Sequence, residues 1–428
     1  MIRVISVNKM KKLLIIILGI FLIGFVFEGI IANKSNVYKE QKVSSIKKNK
    51  KLLSINLEQT AGAGDYKTVT QSNWPTDGYV FNEELSKCEN GSTLSWDEIN
   101  KKVIVSGSLT DKCYVYFDKI LTLAEYVKSQ YTGTQGENGI YYHNSTLTNG
   151  AGDNSYRYAG AYPNNYVCFG TDASTCPEDN LYRIIGVFGS QVKLIKATIA
   201  KSNLLGTNGA YYSDTDYRWS LLSSCPSSTA YNSSKGIYRL ANKNIIAAPE
   251  QSGCNEWNYS DLNTINLNAN FIKNIGTTWS EKIATTTWKV GGGSLSNIAK
   301  SVPKIAYQYE VGSSASSTTY DAKIGLMYVT DYYYGARSTW TLVGSNSDSI
   351  KDYRAAKGSN WLYLGSSEWT ISRRSDYSDY DVFYVYREGF VSYYTVGTPI
   401  VVRPVFNLLS STTYVSGSGG MSDPIKIN

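Results

Sequence analysis

Residues 181–196 read LYRIIGVF, then Gly189-Ser190, then QVKLIK. Two runs rich in Ile, Val and aromatic residues across a two-residue Gly-Ser turn predict a β-hairpin, because Gly takes the positive φ of a II′ turn without steric cost. Short runs of the same kind recur along the chain. They are residues 78–81, 102–105, 112–117 and 287–290, the last ending at Gly291-Gly292-Gly293. Residues 382–386, the turn Arg387-Glu388-Gly389 and residues 390–394 predict a second hairpin. Residues 323–329, running on into a loop at Tyr332-Tyr333-Tyr334, and the apolar stretch 399–409 predict buried strands. Helical spacing is confined to residues 121–130 with Thr122 as cap, to a segment opened by Ser260-Asp261 and ended by Gly276, and to residues 279–285. The chain is therefore expected to be α+β, with short strands joined by polar loops.

An unbroken apolar run, residues 13–27, follows Lys9, Lys11 and Lys12, and Glu28 separates it from residues 29–32. With Glu28 near an interface the run reaches about 20 residues, the length of a membrane helix. A secretory signal cleaved after Ala32 is the competing reading. Lysines flank both sides, so the positive-inside rule sets no orientation. Either reading exports the rest of the chain, to the cell surface on a single-pass anchor or, if cleaved, into the medium.

Six cysteines fit that destination. They allow fifteen connectivities, of which neighbour pairing is the simplest: Cys88 with Cys113, Cys168 with Cys176, Cys225 with Cys254. Each bond would contribute about 2–4 kcal/mol in an oxidising compartment. No C-x-x-C occurs and His143 is the sole histidine, which argues against zinc. His143 lies in a Gly-, Asn- and Tyr-rich stretch, 133–180, and is expected at the surface. The net charge of +7 comes largely from lysines between Lys34 and Lys51, so no basic face for nucleic acid is expected.

Four regions follow: a signal or anchor with a basic stalk (1–52), a small β-sandwich-like module (53–119), a helix with a connecting region (120–180), and a head domain (181–428). In the module, Trp96 is expected on a Cys88–Cys113 bridge.

Between Trp361 and Phe406 there is no Asn, whereas Tyr, Ser, Asp and Arg crowd together. Tyr offers contact area at low entropic cost, and small polar neighbours adapt, as in antibody paratopes. The competing reading is an ordinary Tyr-rich hairpin with core on its other face. Trp361, Trp369, Phe383, Val402, Val405 and Phe406 are expected core. Catalysis has little to stand on: G-x-S-x-G, H-E-x-x-H and Walker loops are absent. The pairs Glu256 with Asp261 and Asp376 with Asp379 are weak on spacing alone. No enzyme is expected. Asp376-x-x-Asp379-x-Asp381 could supply oxygen ligands to calcium, but the EF-hand Gly and Glu do not follow, so a solvated acidic loop without cofactor is expected.

Several stretches resemble a family of exported proteins of Gram-positive gut bacteria: LYRIIGVFGSQVKLIK, KIATTTWKVGG, YDAKIGLMYVTDYYY, SEWTIS, VRPVFNL, YTGTQGENGIYYHN and AGDNSYRYAGAYPNNYVCFG. CENGSTLSW with CYVYFD resembles a small β module that often precedes such heads. The resemblance implies a C-type-lectin-like head, an extracellular protein or glycan ligand, and kinship with targets of diversity-generating retroelements. Those elements mutate adenines in Asn-type codons and leave Tyr, Asp, Ser, Thr, Val, Gly and Arg behind. On that resemblance the ligand-binding residues would be Arg374, Asp376, Tyr377, Asp379, Tyr380, Asp381, Tyr384, Tyr386, Arg387, Tyr393, Tyr394, Val396 and Thr398. Glu388 departs from the pattern, since adenine mutation of an Asn codon alone does not reach Glu. Sugar-binding loops of the Glu-Pro-Asn or Gln-Pro-Asp type are absent. A formylglycine-generating-type enzyme would need a late cysteine, and none follows Cys254. A pilus-like structural subunit is the other class, although Gly24-Phe25 lies inside the apolar run rather than before it.

Overall fold

The computed structural model describes residues 53–428 except 71–74, 76–77, 109, 226–252, 338, 345–351 and 378. The expected membrane segment and stalk lie outside the described residues. Among the described residues no helix is long and apolar enough to cross a membrane. The chain is a mixed α/β protein, mostly sheet with few helices. It divides into two compact units, one ending at Ile120 and one starting at Leu121.

In the first unit, β1 (Leu53–Glu58) pairs antiparallel with β2 (Tyr66–Val69) and parallel with β6 (Cys113–Lys119), which pairs antiparallel with β3 (Tyr79–Cys88). The hairpin β4 (Thr93–Asp97) and β5 (Lys102–Ser106) shares their core. Ile55, Leu57, Val115 and Phe117 form its centre. Trp96 stands edge-on to Phe117 at 5.1 Å and is stacked with Phe81 at 6.4 Å. Cys88 and Cys113 are register partners and are bonded, tying β3 to β6. Asp111 accepts from the Asn90 and Ser92 N–H groups and fixes the turn after β3.

The second unit opens with the helix Leu123–Ser129. Its cap is a Thr122/Glu125 capping box, the reciprocal arrangement that satisfies two orphan amides. A seven-stranded sheet follows. Its path is β15 (Ile324–Gly325), β20 (Val405–Asn407), β11 (Gln191–Lys196), β10 (Leu181–Phe188), β8 (Tyr156–Tyr158) and β7 (Ile140–Tyr142), with β9 (Tyr166–Cys168) also on β10. The stretch expected to be a connecting region, 120–180, thus supplies three strands and the helix, and Tyr158, Val167 and Phe169 belong to the unit's main core. A five-stranded sheet runs β12 (Asp216–Tyr217), β19 (Ile400–Val401), β16 (Glu368–Arg373), β17 (Asp381–Val385), β18 (Val391–Thr395). Two two-stranded antiparallel pairs complete it, β13 (Thr286–Lys289) with β14 (Thr319–Ala322) and β21 (Tyr414–Ser416) with β22 (Lys426–Ile427). Cys168–Cys176 and Cys225–Cys254 are bonded, each between sequence neighbours. All six residues expected in the core are buried.

Three expectations change. The apolar stretch 399–409 is two strands in two sheets, because Pro404 offers no N–H to a ladder and Arg403 turns inward to Glu368. Residues 329–334 are a buried helix, Val329–Tyr334, rather than strand and loop. Glu310 accepts from its first two amides, at 2.8 and 2.9 Å, and Asp331 accepts from Tyr328 N–H. These carboxylates satisfy the helix N-terminus, which is why three consecutive tyrosines can be interior. The second short helix is Thr277–Ser280, starting directly at Gly276, whose φ is 81°. The preceding helix is π-type over Leu262–Phe271 and α-type over Ile272–Asn274.

Candidate functional site

The Tyr-rich hairpin forms as expected. Gly389, φ 97°, closes its turn by donating to Tyr386 O at 2.7 Å, and Tyr386 N–H donates to Phe390 O at 2.8 Å. A side chain at 389 would also meet Lys357 Cβ at 2.9 Å. Asp381 pairs with Thr395, Val382 with Tyr394, Phe383 with Tyr393 and Tyr384 with Ser392. Alternation then divides the named residues between two faces of the sheet. Tyr384 and Tyr394 share one face with Trp369; their rings lie 6.1 Å apart, and Tyr386 is 6.1 Å from Tyr384. Asp381 and Tyr393 lie on the other.

On that second face Arg374 is buried between two rings, 4.3 Å from the Tyr393 centroid and 4.6 Å from Tyr377. Its Nε donates to Asp376 at 2.8 Å, and Nη1 lies 3.5 Å from Asp381. Asp376 also accepts from Leu295 N–H at 3.1 Å. A cavity of about 330 Å³ opens here, lined by Arg374, Asp376, Tyr377, Asp379 and Asn255. Asp376 and Asp381 are therefore directed to Arg374, and Asp376 also to the Leu295 amide. Among the described residues no group of three or more potential ligands is gathered for a metal.

Exposure separates contact residues from scaffold. Tyr377 is 73 % exposed, Tyr394 50 % and Tyr393 37 %. Asp376, Asp379 and Arg387 are exposed, and Tyr380, Tyr386 and Thr398 are half-buried. Val396 is corrected from binding residue to core. It is fully buried, donates to Tyr380 O and accepts from Trp219 and Ser220. Asp381 and Tyr384 are likewise buried. Burial, then Tyr386 and Tyr394, push the Tyr384 hydroxyl up to about 12. Glu256 and Asp261 do not form a pair of acids: Glu256 faces Arg373 at 3.8 Å and Asp261 accepts from Leu221 N–H at 2.8 Å.

A second site had no signature as a motif. Residues from five of the stretches that carry the resemblance, with Tyr307 and Val311, line a cavity of about 270 Å³. Lys193 on β11 donates to both oxygens of Asp331, at 3.0 and 3.2 Å, and lies 4.6 Å over Phe188 and 4.9 Å over Tyr328. Arg157 on β8 donates to Asp153 at 2.6 Å and comes within 3.8 Å of Asp331. It stacks over Phe188 at 4.7 Å and Tyr307 at 5.4 Å. Burial opposes charge on Asp153, but Arg157 and the Ser155 hydroxyl outweigh it and hold its carboxyl below the usual range. Asn407 on β20 is the register partner of Lys193, and its Oδ1 is buried without a hydrogen-bond partner. A lysine inside the wholly buried run Val192–Ile195 was the one sequence signal of this site.

His143 is corrected from the surface to the interior. It is fully buried against Tyr334, 4.7 Å away, and Trp340, 5.2 Å away. Its Nδ1 accepts from Ala151 N–H at 3.1 Å, so the neutral ring carries its proton on Nε2. Burial, reinforced by the charge of Arg157, drives its pKa well below the ordinary value.

Comparison of the chain with protein-family models, with curated proteins and with solved structures finds no match in any of the three.

Proposed function

We propose that the protein is an extracytoplasmic recognition protein with a C-type-lectin-like head, whose contact surface is centred on strand β18 and residues 374–380. The supporting observation is the exposure of Tyr377 and Tyr393 around a buried, doubly stacked Arg374, with Tyr394 exposed on the opposite face of β18. Rings held on a rigid sheet beside a fixed guanidinium are the composition of binding hot spots. Three disulfides fit an extracellular or otherwise oxidising environment. The N-terminal apolar run would anchor the chain, or direct its secretion if cleaved. The ligand would be an extracellular protein or glycan, bound without metal or nucleic acid and without chemical turnover.

Retroelement diversification, if it acts here, would be confined to the exposed subset Asp376, Tyr377, Asp379, Arg387, Tyr393 and Tyr394. The test is binding of the purified chain to arrays of extracellular proteins and glycans. A Tyr377→Ser/Tyr393→Ser/Tyr394→Ser variant should lose every specific signal while keeping the unfolding midpoint. Signals retained by the variant would sink the reading.

A further inference from the structure

We propose that the cavity between β11, β13 and the helix Val329–Tyr334 is a second binding site, which takes one neutral, hydroxylated sugar ring.

Among the polar groups of its wall, Lys193 keeps an N–H and Asn407 an oxygen free for a ligand. An ammonium carries three N–H groups, and Asp331 receives two from Lys193. The Asn407 amide donates to Thr286 at 3.0 Å, while its oxygen accepts nothing. Asn407 is 6 % exposed and lines the cavity. A buried acceptor left unmatched loses the hydrogen bond it would have had with water. Lys193 and Asn407 face each other directly across the β11–β20 ladder, yet do not bond. A hydroxyl between them would accept from Nζ and donate to Oδ1, satisfying both at once.

The charges select a neutral ligand. Arg157 and Lys193 are matched by Asp153 and Asp331 within the wall. Lys289, half-buried at the rim, is the remaining cation of the lining. A charged ligand would therefore meet little net countercharge in the interior. Phe188, Trp288, Tyr307 and Tyr328 supply ring surface suited to the C–H face of a pyranose. The volume of about 270 Å³ falls just below the range of drug-sized ligands, which suits a single ring.

The probes are methyl glycosides of glucose, galactose and mannose, N-acetylglucosamine, and anionic N-acetylneuraminic acid, each offered to the full exported chain. Saturation-transfer NMR and titration of tryptophan fluorescence read binding. At least one neutral probe should bind, and Asn407→Leu should weaken it about tenfold. Thr287→Trp, at an exposed rim position, should block entry without touching the core and guards against misfolding of the first variant. The Tyr377→Ser/Tyr393→Ser/Tyr394→Ser variant should bind the probe unchanged, so failure at this site is separable from failure of the β18 surface. The proposal is overturned if no neutral probe binds, if only N-acetylneuraminic acid does, or if neither Asn407→Leu nor Thr287→Trp weakens binding. The leftover donor and acceptor would then be bridged by trapped water.

Discussion

Arg403 and Glu368 grip each other face to face: Nε and Nη2 each donate to a different carboxylate oxygen at 2.8 Å, and both residues are almost wholly buried. Burial pushes the Glu368 carboxyl up, and Arg403 opposes that shift. The pair fixes the segment between β19 and β20 to β16, so it links the two large sheets. Arg403→Leu strands a buried carboxyl and should cost about 3–5 kcal/mol. Arg403→Leu/Glu368→Leu should recover most of it. Urea unfolding followed by tryptophan fluorescence decides; a double variant as unstable as the single one would refute the account.

His143 makes stability depend on pH. The unfolded chain takes up its proton near 6.5, while the folded chain does so only at lower pH. Below 6.5 the unfolded state therefore binds more protons, and stability falls as pH drops from 7 towards 5. Asn at 143 can still accept the Ala151 N–H and does not titrate. The His143→Asn chain should show a flatter profile over that interval. Parallel profiles for the two proteins would contradict the assignment.

Val396 and Tyr394 lie two residues apart and should respond unequally. Val396→Ser puts a hydroxyl into a fully buried site and should cost about 2 kcal/mol. Tyr394→Ser, at a half-exposed position, should cost less than about 1 kcal/mol. Equal losses, read by urea unfolding, would mean that Tyr394 is scaffold as well.

Deep sequencing of the gene's 3′ end in a natural population tests diversification. Variation should concentrate at codons 376, 377, 379, 387, 393 and 394, and spare 384 and 396. If codons 373–398 vary no more than codons 181–196, the surface has fixed specificity.

Much of the architecture was written locally. The Gly-Ser turn, the Thr122 cap, Gly276 and Gly389 each act within a few residues, and each sits where its φ or hydrogen bond requires. The helix Val329–Tyr334 escaped sequence reasoning because its N-terminus is satisfied by Glu310, nineteen residues upstream of Val329. The division of 399–409 depends on Arg403 finding Glu368, a partner 35 positions away. The cavity around Lys193 was invisible for the same reason, since Arg157, Trp288, Asp331 and Asn407 come from four separate stretches. On the hairpin, composition marked a Tyr-rich region that carries both exposed and buried rings. It could not tell Tyr377 from Tyr384, because exposure is set by which face a residue takes and by what lies over it.

Arg374, bracketed by Asp376 and Asp381, limits how such a surface can vary. Asp381 is buried, so replacing Arg374 removes the cation 3.5 Å from its carboxylate, while replacing Asp381 leaves the guanidinium its ion pair with Asp376. Codons 374 and 381 are thus coupled by folding, whatever process mutates them. Under the proposed diversification, chains that change Arg374 and keep Asp381 would be depleted before any target is met. Under that diversification, the set of displayed surfaces would be smaller than the product of its variable positions and biased towards those that keep an ion pair beneath the aromatic rings.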